Sequence, residues 1–393
     1  MPHHATSAPP TPPVLPVYVI GAGPGGLAVA AALGERGVRV VVLEKSGAVG
    51  ASWRAHYSRL HLHTTRRWSS LPGLRMPRSF GRWVPREKVV KYLEKYAQFH
   101  GIEVVTGVEV TRVEPLPEPA VEDAGAADGP SDGARWLLRA SGGRELRARA
   151  LVVATGYNHT PRLPAWPGRE TYTGRLLHAR DYRDATPYRD MDVLVVGAGN
   201  TGAEIAVDLA EGGAARVRLA IRTPPHILRR STLGWPAQAS GILCRRLPRF
   251  LVDRAARGVA LRVPGIARPQ KGLATRAREG AIPVQDVGLL KAVRAGRVEP
   301  VAAVESFDGA QVRLADGTRL APGAVVAATG YERGLTGLVG HLDVLTAEGR
   351  PRRRNPVAPG LYFTGYTTPL SGMLRELARD APKIARSLER TAR

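Results

Sequence analysis

The chain of 393 residues has one cysteine, Cys244. A single thiol excludes an intrachain disulfide and a redox-active cysteine pair, and no spaced Cys/His cluster suggests a zinc site. The chain therefore fits a reducing cytoplasm, with no metal expected. Acids are also scarce: 34 Asp and Glu stand against 57 Lys and Arg, a formal charge of +23. The arginines are scattered, with short clusters at Arg229-Arg230, Arg245-Arg246 and Arg352-Arg353-Arg354. No basic stripe with interleaved aromatics appears, which argues against nucleic-acid binding as the main function. Part of the charge is read instead as serving an anionic cofactor. An uninterrupted hydrophobic run is missing as well. The apolar stretch "VLPVYVIGAGPGGLAVAAAL" (14–33) is broken by glycines and lacks a basic leader, so neither a signal peptide nor a membrane span is expected.

What is present is one plan used twice. Hydrophobic residues make up 44% of the chain, enough for two or three packed domains. After a Pro-rich tail (1–15), read as disordered, comes a strand "VYVI", the turn Gly21-Ala22-Gly23-Pro24-Gly25-Gly26, an Ala/Leu-rich helix and a second strand ending in Glu44. In "REKVVKYLEKYAQFHG" (86–101), Val89, Leu93, Tyr96 and Ala97 share a helical face, with Pro85 suited to the first turn. The tract 114–134 reads as a flexible loop and Gly142-Gly143 as a hairpin turn. This part ends in "VVATGY". The order then restarts: "DVLVVG", Gly197-x-Gly199-x-x-Gly202, a helix, a strand ending in Arg222, Asp-Gly turns at 308–309 and 316–317, and a second "AATGY". Gly21 to Gly156 spans 135 residues and Gly197 to Gly330 spans 133, so the two segments are read as related nucleotide-binding units. The tail "PGLYFTGY" supplies one more strand, which needs an existing sheet. We assign it to the first unit, making the second an insertion.

A strand–glycine turn–helix of this form binds a pyrophosphate. The first glycine permits the tight turn, the second lets the backbone approach the phosphates, and the third lets helix and strand pack closely. The units differ where a ribose would sit. Glu44 falls at the offset of an acid that accepts ribose hydroxyls, as in FAD. The second strand ends in Arg222 with no acid, which suits the 2′-phosphate of NADPH. The expectation is an α/β fold of two Rossmann-like dinucleotide-binding domains. FAD lies on residues 16–160 and 325–393, and NADPH on an inserted domain, 161–324. NADPH would pass a hydride to FAD. With one cysteine, the next acceptor is oxygen with substrate oxygenation, oxygen with peroxide release, or a quinone or protein.

Several segments resemble the flavin-containing monooxygenases, most of all their YUCCA-type and bacterial branch, from about Val17 to Leu388. "YTGRLLHARDY" matches that family's fingerprint through Tyr172, Gly174, His178 and Tyr182. "ATGY" occurs twice, "SWRAHYSRLHLHT" (52–64) resembles the segment beside the flavin, and "GAIPVQDVGLLKAVRAGRVEPV" (280–301) a stretch of the YUCCA-type branch. The resemblance implies an NADPH-dependent FAD monooxygenase. It would transfer one oxygen atom from O2 to a small organic substrate through a flavin C4a-(hydro)peroxide, by N- or S-oxidation, oxidative decarboxylation or Baeyer–Villiger insertion. An NADPH-dependent flavin reductase or oxidase without oxygen transfer is the alternative. The sequence departs from the YUCCA-type pattern at Thr64-Thr65-Arg66 and in the tail, which leaves indole-3-pyruvate as one candidate substrate.

Carried onto this sequence, the resemblance implies a catalytic set of His63, Asn200 and Tyr331. The expected cofactor contacts are Gly21, Gly23, Pro24, Gly25, Gly26, Glu44, Lys45, Trp53, Arg54, His63, Val108, Ala154, Thr155 and Gly156 in the first unit. In the second they are Gly197, Gly199, Asn200, Thr201, Gly202, Arg222, Thr329 and Gly330, with Gly365 in the tail. Trp53 and Arg54 are expected at the FAD ribityl-phosphate region, and His178 at the interdomain connection rather than in proton transfer. Thr364-Gly365 and the helix near Ser371 belong under the flavin pyrimidine. A homodimer is left open.

Overall fold

The computed structural model describes residues 15–117, 133–244 and 247–392. The N-terminal tail (but for residue 15), most of the expected loop 114–134 and Arg245-Arg246 lie outside the described residues. Two five-stranded parallel sheets carry the fold. The first is built on β1 (Val17–Ile20), β2 (Val40–Glu44), β3 (Val104–Thr106) and β4 (Ala150–Val153). The second takes β5 (Arg175–His178), β6 (Asp192–Val196), β7 (Arg216–Ile221), β8 (Glu299–Ala302) and β9 (Ala324–Ala327). The last strand, β10 (Leu361–Phe363), returns to the first sheet, giving the order β10-β4-β1-β2-β3. The second sheet runs β8-β7-β6-β9-β5. The returning strand pairs with β4, Leu361 opposite Leu151, so the second unit is an insertion as expected. The inserted sheet includes β9, so the expected boundary at 324/325 is corrected: a sheet strand cannot be cut, and the return follows Ala327. The two links between the units pair with each other, Thr160 opposite Glu332 and Pro161 opposite Tyr331.

Parallel strands covered on both faces need continuous apolar runs, which "VYVI", "ALVV", "DVLVV" and "AVVA" supply. Helix α1 (Pro24–Gly34) is buried from Gly25 to Leu33. Its alanines let the C-terminal helix, Met373–Ala392, lie directly on it through Leu377, Ala381, Ile384, Ala385 and Leu388 at helical spacing. Helix α2 (Ala51–Ala55) follows β2. Helix α3 (Arg86–Phe99) buries Val89, Leu93, Tyr96 and Ala97, and Val90 and Tyr92 as well. Pro85 stands at its cap, one residue before the first turn. Each unit also carries a three-stranded antiparallel meander: Val110–Pro115, Trp136–Ala140 and Arg144–Ala148 in the first, and Val304–Asp308, Gln311–Leu314 and Arg319–Leu320 in the second.

Candidate functional site

The two glycine loops are near copies. Gly21 and Gly197 both take φ +109°, a value that L side chains rarely adopt. A Cβ on Gly26 would lie 1.9 Å from the Gly21 carbonyl oxygen, and one on Gly202 would lie 1.8 Å from that of Gly197. The first and third glycines are therefore demanded by the fold itself. The middle ones are not: Gly23 and Gly199 cap α1 and helix α4 (Asn200–Glu211) in extended conformation, and a Cβ on either meets no protein atom within 4 Å. That space, facing the free N–H groups of Gly25-Gly26 and of Thr201-Gly202, is a cradle for a pyrophosphate. Pro24 opens α1 at a position whose N–H would be unpaired in any case.

Around the first loop, the Glu44 carboxylate is buried and fixed by the backbone N–H of Ala22 (2.8 Å) and of Ser46 (2.9 Å). Its remaining lone pairs point to no other protein donor among the described residues. Val108 is tied to it, its N–H donating to the Glu44 carbonyl at 3.0 Å, and Lys45 lies beside His159 and Glu109. Ala154 N–H bonds Ile20 O, Thr155 Oγ1 lies 2.7 Å from Tyr366 Oη, and Gly156 takes φ +91°. At the tail, Gly365 takes φ +88°, and the buried Thr364 hydroxyl has no partner. Trp53, on α2, packs against the cores of both units. Arg54 departs from expectation. Its guanidinium is engaged by the Glu94 carboxylate of α3 and by Val49 O, so it reaches a ribityl phosphate only by leaving them.

In the second unit, Arg222 is exposed at the end of β7 with no carboxylate partner among the described residues. Asn200 is more committed than the sequence suggested. Its amide donates to Pro283 O (3.0 Å) and accepts from Gln285 N–H (2.8 Å), so it bolts the segment after residue 280 to the start of α4. Thr329 Oγ1 donates to Arg162 O. Gly330 O accepts from His178 Nε2 at 3.0 Å, while His178 Nδ1 accepts from Arg180 N–H, so both ring nitrogens serve the link between the units. The Tyr331 ring meets His178 edge-on at 4.9 Å.

Where the units meet, the structure assembles a group the sequence reading missed in part. Glu204, on α4 and 4% exposed, accepts from Tyr57 Oη at 2.7 Å and lies 3.2 Å from His63 Nε2. Arg230 donates to Leu62 O and sits 4.1 Å over the Trp83 ring. Arg59 is paired to Glu211 and Asp208, and Tyr182 Oη donates to Asp208. Burial pushes the Glu204 carboxyl up to about 7, against the pull of Tyr57, Arg230 and Arg59. Burial also brings His63 down to about 4, helped by Arg230 and His61, and holds the Tyr57 phenol well above its ordinary value. Near neutral pH His63 is therefore uncharged, and its contact with Glu204 is a hydrogen bond rather than an ion pair. The other ring nitrogen, His63 Nδ1, is buried with no partner. It presents an N–H when Glu204 is protonated and donates to Nε2, and a bare lone pair when Glu204 is ionised. A cavity of about 440 Å³ opens beside this group, lined by Arg59, His61, Arg82, Trp83, Glu204 and Arg230. One signal in the sequence could have exposed the network: Glu204 and Asp208 stand four apart, on one face of a helix whose middle is otherwise apolar.

The orphaned His63 Nδ1 and Thr364 hydroxyl, with the two open glycine cradles, fit a pair of dinucleotides. The sequence profile of the family described as pyridine nucleotide-disulphide oxidoreductase matches residues 15–241. The chain is 34% identical over 384 residues to indole-3-pyruvate monooxygenase YUCCA1 of Oryza sativa subsp. japonica, covering 94% of this chain and 90% of that one. The chain belongs to the flavin monooxygenase family. The probable indole-3-pyruvate monooxygenase YUCCA1 of Arabidopsis thaliana is 32% identical over 93% of this chain and 88% of its own. Among solved structures, the flavin-containing monooxygenase from Stenotrophomonas maltophilia superposes with a TM-score of 0.69 at 25% identity, covering 95% of this chain and 99% of that one. A complex of OTEMO with FAD and NADP has the same fold at 16% identity, with a TM-score of 0.68 over 96% of this chain and 84% of that one. The chain is a flavin-dependent monooxygenase with FAD and NADPH as cofactors.

Proposed function

We propose that FAD occupies the loop at Gly21–Gly26 and NADPH the loop at Gly197–Gly202, and that the cleft between them oxygenates a small aromatic carboxylic acid, with indole-3-pyruvate the first to test. The observation that carries the substrate reading is the cavity beside His63. Three arginines, Arg59, Arg82 and Arg230, surround it, and Trp83 offers a ring face. The relatives named as indole-3-pyruvate monooxygenases support it. Bound FAD, once reduced by NADPH, supplies the two-electron activation of O2. The chain's residues do the rest. Glu44 holds the first ribose, Arg222 discriminates the 2′-phosphate, and Trp53, Tyr57 and Trp83 keep water from the cleft. His63 holds a proton, or a lone pair, at Nδ1 under the control of Glu204.

The test is NADPH consumption with and without indole-3-pyruvate, with hydrogen peroxide assayed in parallel. The expected result is that one atom of O2 goes into indole-3-acetate as the substrate's carboxyl carbon leaves as CO2, the other atom leaves as water with less peroxide formed, and that Arg230→Ala raises KM more than it lowers kcat. Unchanged peroxide yield with every aromatic acid tried would leave only the oxidase activity. For the second loop, Arg222→Ala should weaken NADPH by roughly ten- to a hundredfold, the size of a charge-assisted phosphate contact, and leave NADH nearly unchanged. Equal losses for both nucleotides would remove Arg222 from the phosphate.

A further inference from the structure

The cofactor sites leave one surface unexplained. The described residues between 231 and 259 form a hairpin, Ser231–Thr232 against Trp235–Pro236, then helix α5 (Ala237–Leu243) and helix α6 (Arg249–Val259). Leu233 sits at the hairpin tip, fully exposed, at φ +48°, a left-handed conformation that disfavours leucine. Trp235 lies over α5, its indole N–H donating to Ser240 Oγ. Leu243 is one turn further along the same helix face. Leu247, Phe250 and Leu251 follow, and the exposures of Trp235, Leu243 and Phe250 run from 58% to 70%. Val252 and Ala256 anchor α6 to the protein, so its outer side carries Phe250, Leu251, Arg254 and Arg257.

Between Arg229 and Arg262 the sequence holds eight arginines and a single acid, Asp253. Asp253 is turned inward, accepting from Ala274 N–H and Thr275 Oγ1. Arg230 is turned to the cleft and Arg245-Arg246 lie outside the described residues, so the face is apolar and positive through Arg249, Arg254 and Arg257, with no exposed carboxylate among its described residues. A second copy of this face would meet it with like charge. A nucleic acid would use the arginines and leave the projecting leucines and phenylalanine in water. A bilayer with anionic headgroups takes both, the apolar side chains into the headgroup–acyl boundary and the arginines among the phosphates. Among the described residues no helix is long and apolar enough to cross a membrane. A surface contact needs none.

We propose that this face docks the protein on an anionic lipid bilayer. Docking there would bring the cleft to the membrane. Arg82 donates to Gly234 O in the hairpin, and Gln238 of α5 accepts from Thr65 N–H and donates to Ser371 O, so the docking elements form the rim of the candidate site.

Flotation of the FAD-loaded protein with phosphatidylcholine vesicles, with and without phosphatidylglycerol, tests this. The protein is expected to float with the anionic vesicles, weakly with the neutral ones, and less as salt rises. Leu233→Ser with Phe250→Ser should reduce flotation by roughly tenfold or more, since each buried methylene matters at this boundary. Arg254→Glu with Arg257→Glu should do the same, while FAD content and NADPH oxidation stay at wild-type levels in both. Four outcomes would overturn the proposal: no flotation with either vesicle, equal flotation with both, a wild-type dimer that the serine variant abolishes, or DNA binding that the glutamate variant loses and the serine variant keeps.

Discussion

Gly26→Ala is expected to give no folded protein, and Gly23→Ala a folded protein that has lost its flavin. The two positions lie three residues apart in one loop, yet the structure separates their roles. A Cβ on Gly26 would stand 1.9 Å from the Gly21 carbonyl oxygen, with the carbonyl carbon at 3.1 Å. That neighbour is backbone, held where the central strand β1 passes into α1, and it cannot swing aside. Overpacking a rigid core usually costs about 1–3 kcal/mol, and a backbone collision at this buried strand-to-helix turn exceeds that range. Against a total stability of about 5–15 kcal/mol, the first unit would not survive. Gly202→Ala should fail in the same way through Gly197. At Gly23 the backbone is extended, with φ −82° and ψ −179°, and the new methyl meets no protein atom within 4 Å. The apo protein should melt at the wild-type temperature or slightly above it, because alanine loses less chain entropy on folding. The methyl would project into the space left for the pyrophosphate. Flavin absorbance of the purified variant, with unfolding of both apo proteins followed by circular dichroism, checks the pair. A yellow, fully loaded Gly23→Ala protein would remove FAD from this loop.

That contrast marks how far the sequence could be read. The glycine spacing, the apolar runs and the matched distance to each "ATGY" were enough to foresee two parallel sheets, and the lone C-terminal strand had to join the first of them. Local pattern carries such features, because a strand buried on both faces or a helix on a glycine turn has few ways to be written. The side-chain commitments were not legible. Asn200 looked like a nucleotide contact until Pro283 and Gln285, more than eighty residues away, were seen to occupy both ends of its amide. Arg54 looked aimed at a phosphate until Glu94 claimed it. Glu204 went unremarked because its partners, Tyr57 and His63, are some 140 residues distant in the chain and meet it only when the inserted unit closes on the first. Hydrogen-bond partners across a domain junction depend on tertiary placement, which spacing within a segment does not encode.

The second large effect is expected at that junction, as opposite pH dependences in two variants. Glu204 carries a carboxyl raised from 4.5 to about 7, so between those values the folded protein holds a proton that the unfolded chain has released. By itself this stabilises the fold fully below pH 4.5 and is lost as pH rises through 7. His63 is the reverse. Its folded value of about 4, against 6.5, means the unfolded chain binds the extra proton, so stability is lost as pH falls from 6.5 toward 4. Over the shared window, pH 4.5 to 6.5, the two slopes cancel, and the wild-type pair keeps one proton with little dependence on pH. Glu204→Gln leaves the histidine slope alone and should destabilise the protein on acidification. His63→Gln leaves the carboxylate slope alone and should destabilise it on raising the pH. Each amounts to roughly 3 kcal/mol across two pH units, at about 1.4 kcal/mol per unit. Tyr57, Arg59, Arg230, His61 and Asp208 face the pair in all three proteins, so differences from wild type isolate it. Urea midpoints of the three proteins between pH 5 and pH 7 check the result, and parallel profiles would show that the two groups do not share a proton. A second readout ties the pair to the cleft. If Glu204 sets what His63 Nδ1 presents, both variants should release more hydrogen peroxide per NADPH oxidised than wild type, and the wild-type ratio should itself change as the pH crosses 7. A ratio flat across neutrality in all three would confine the pair to holding the two units together.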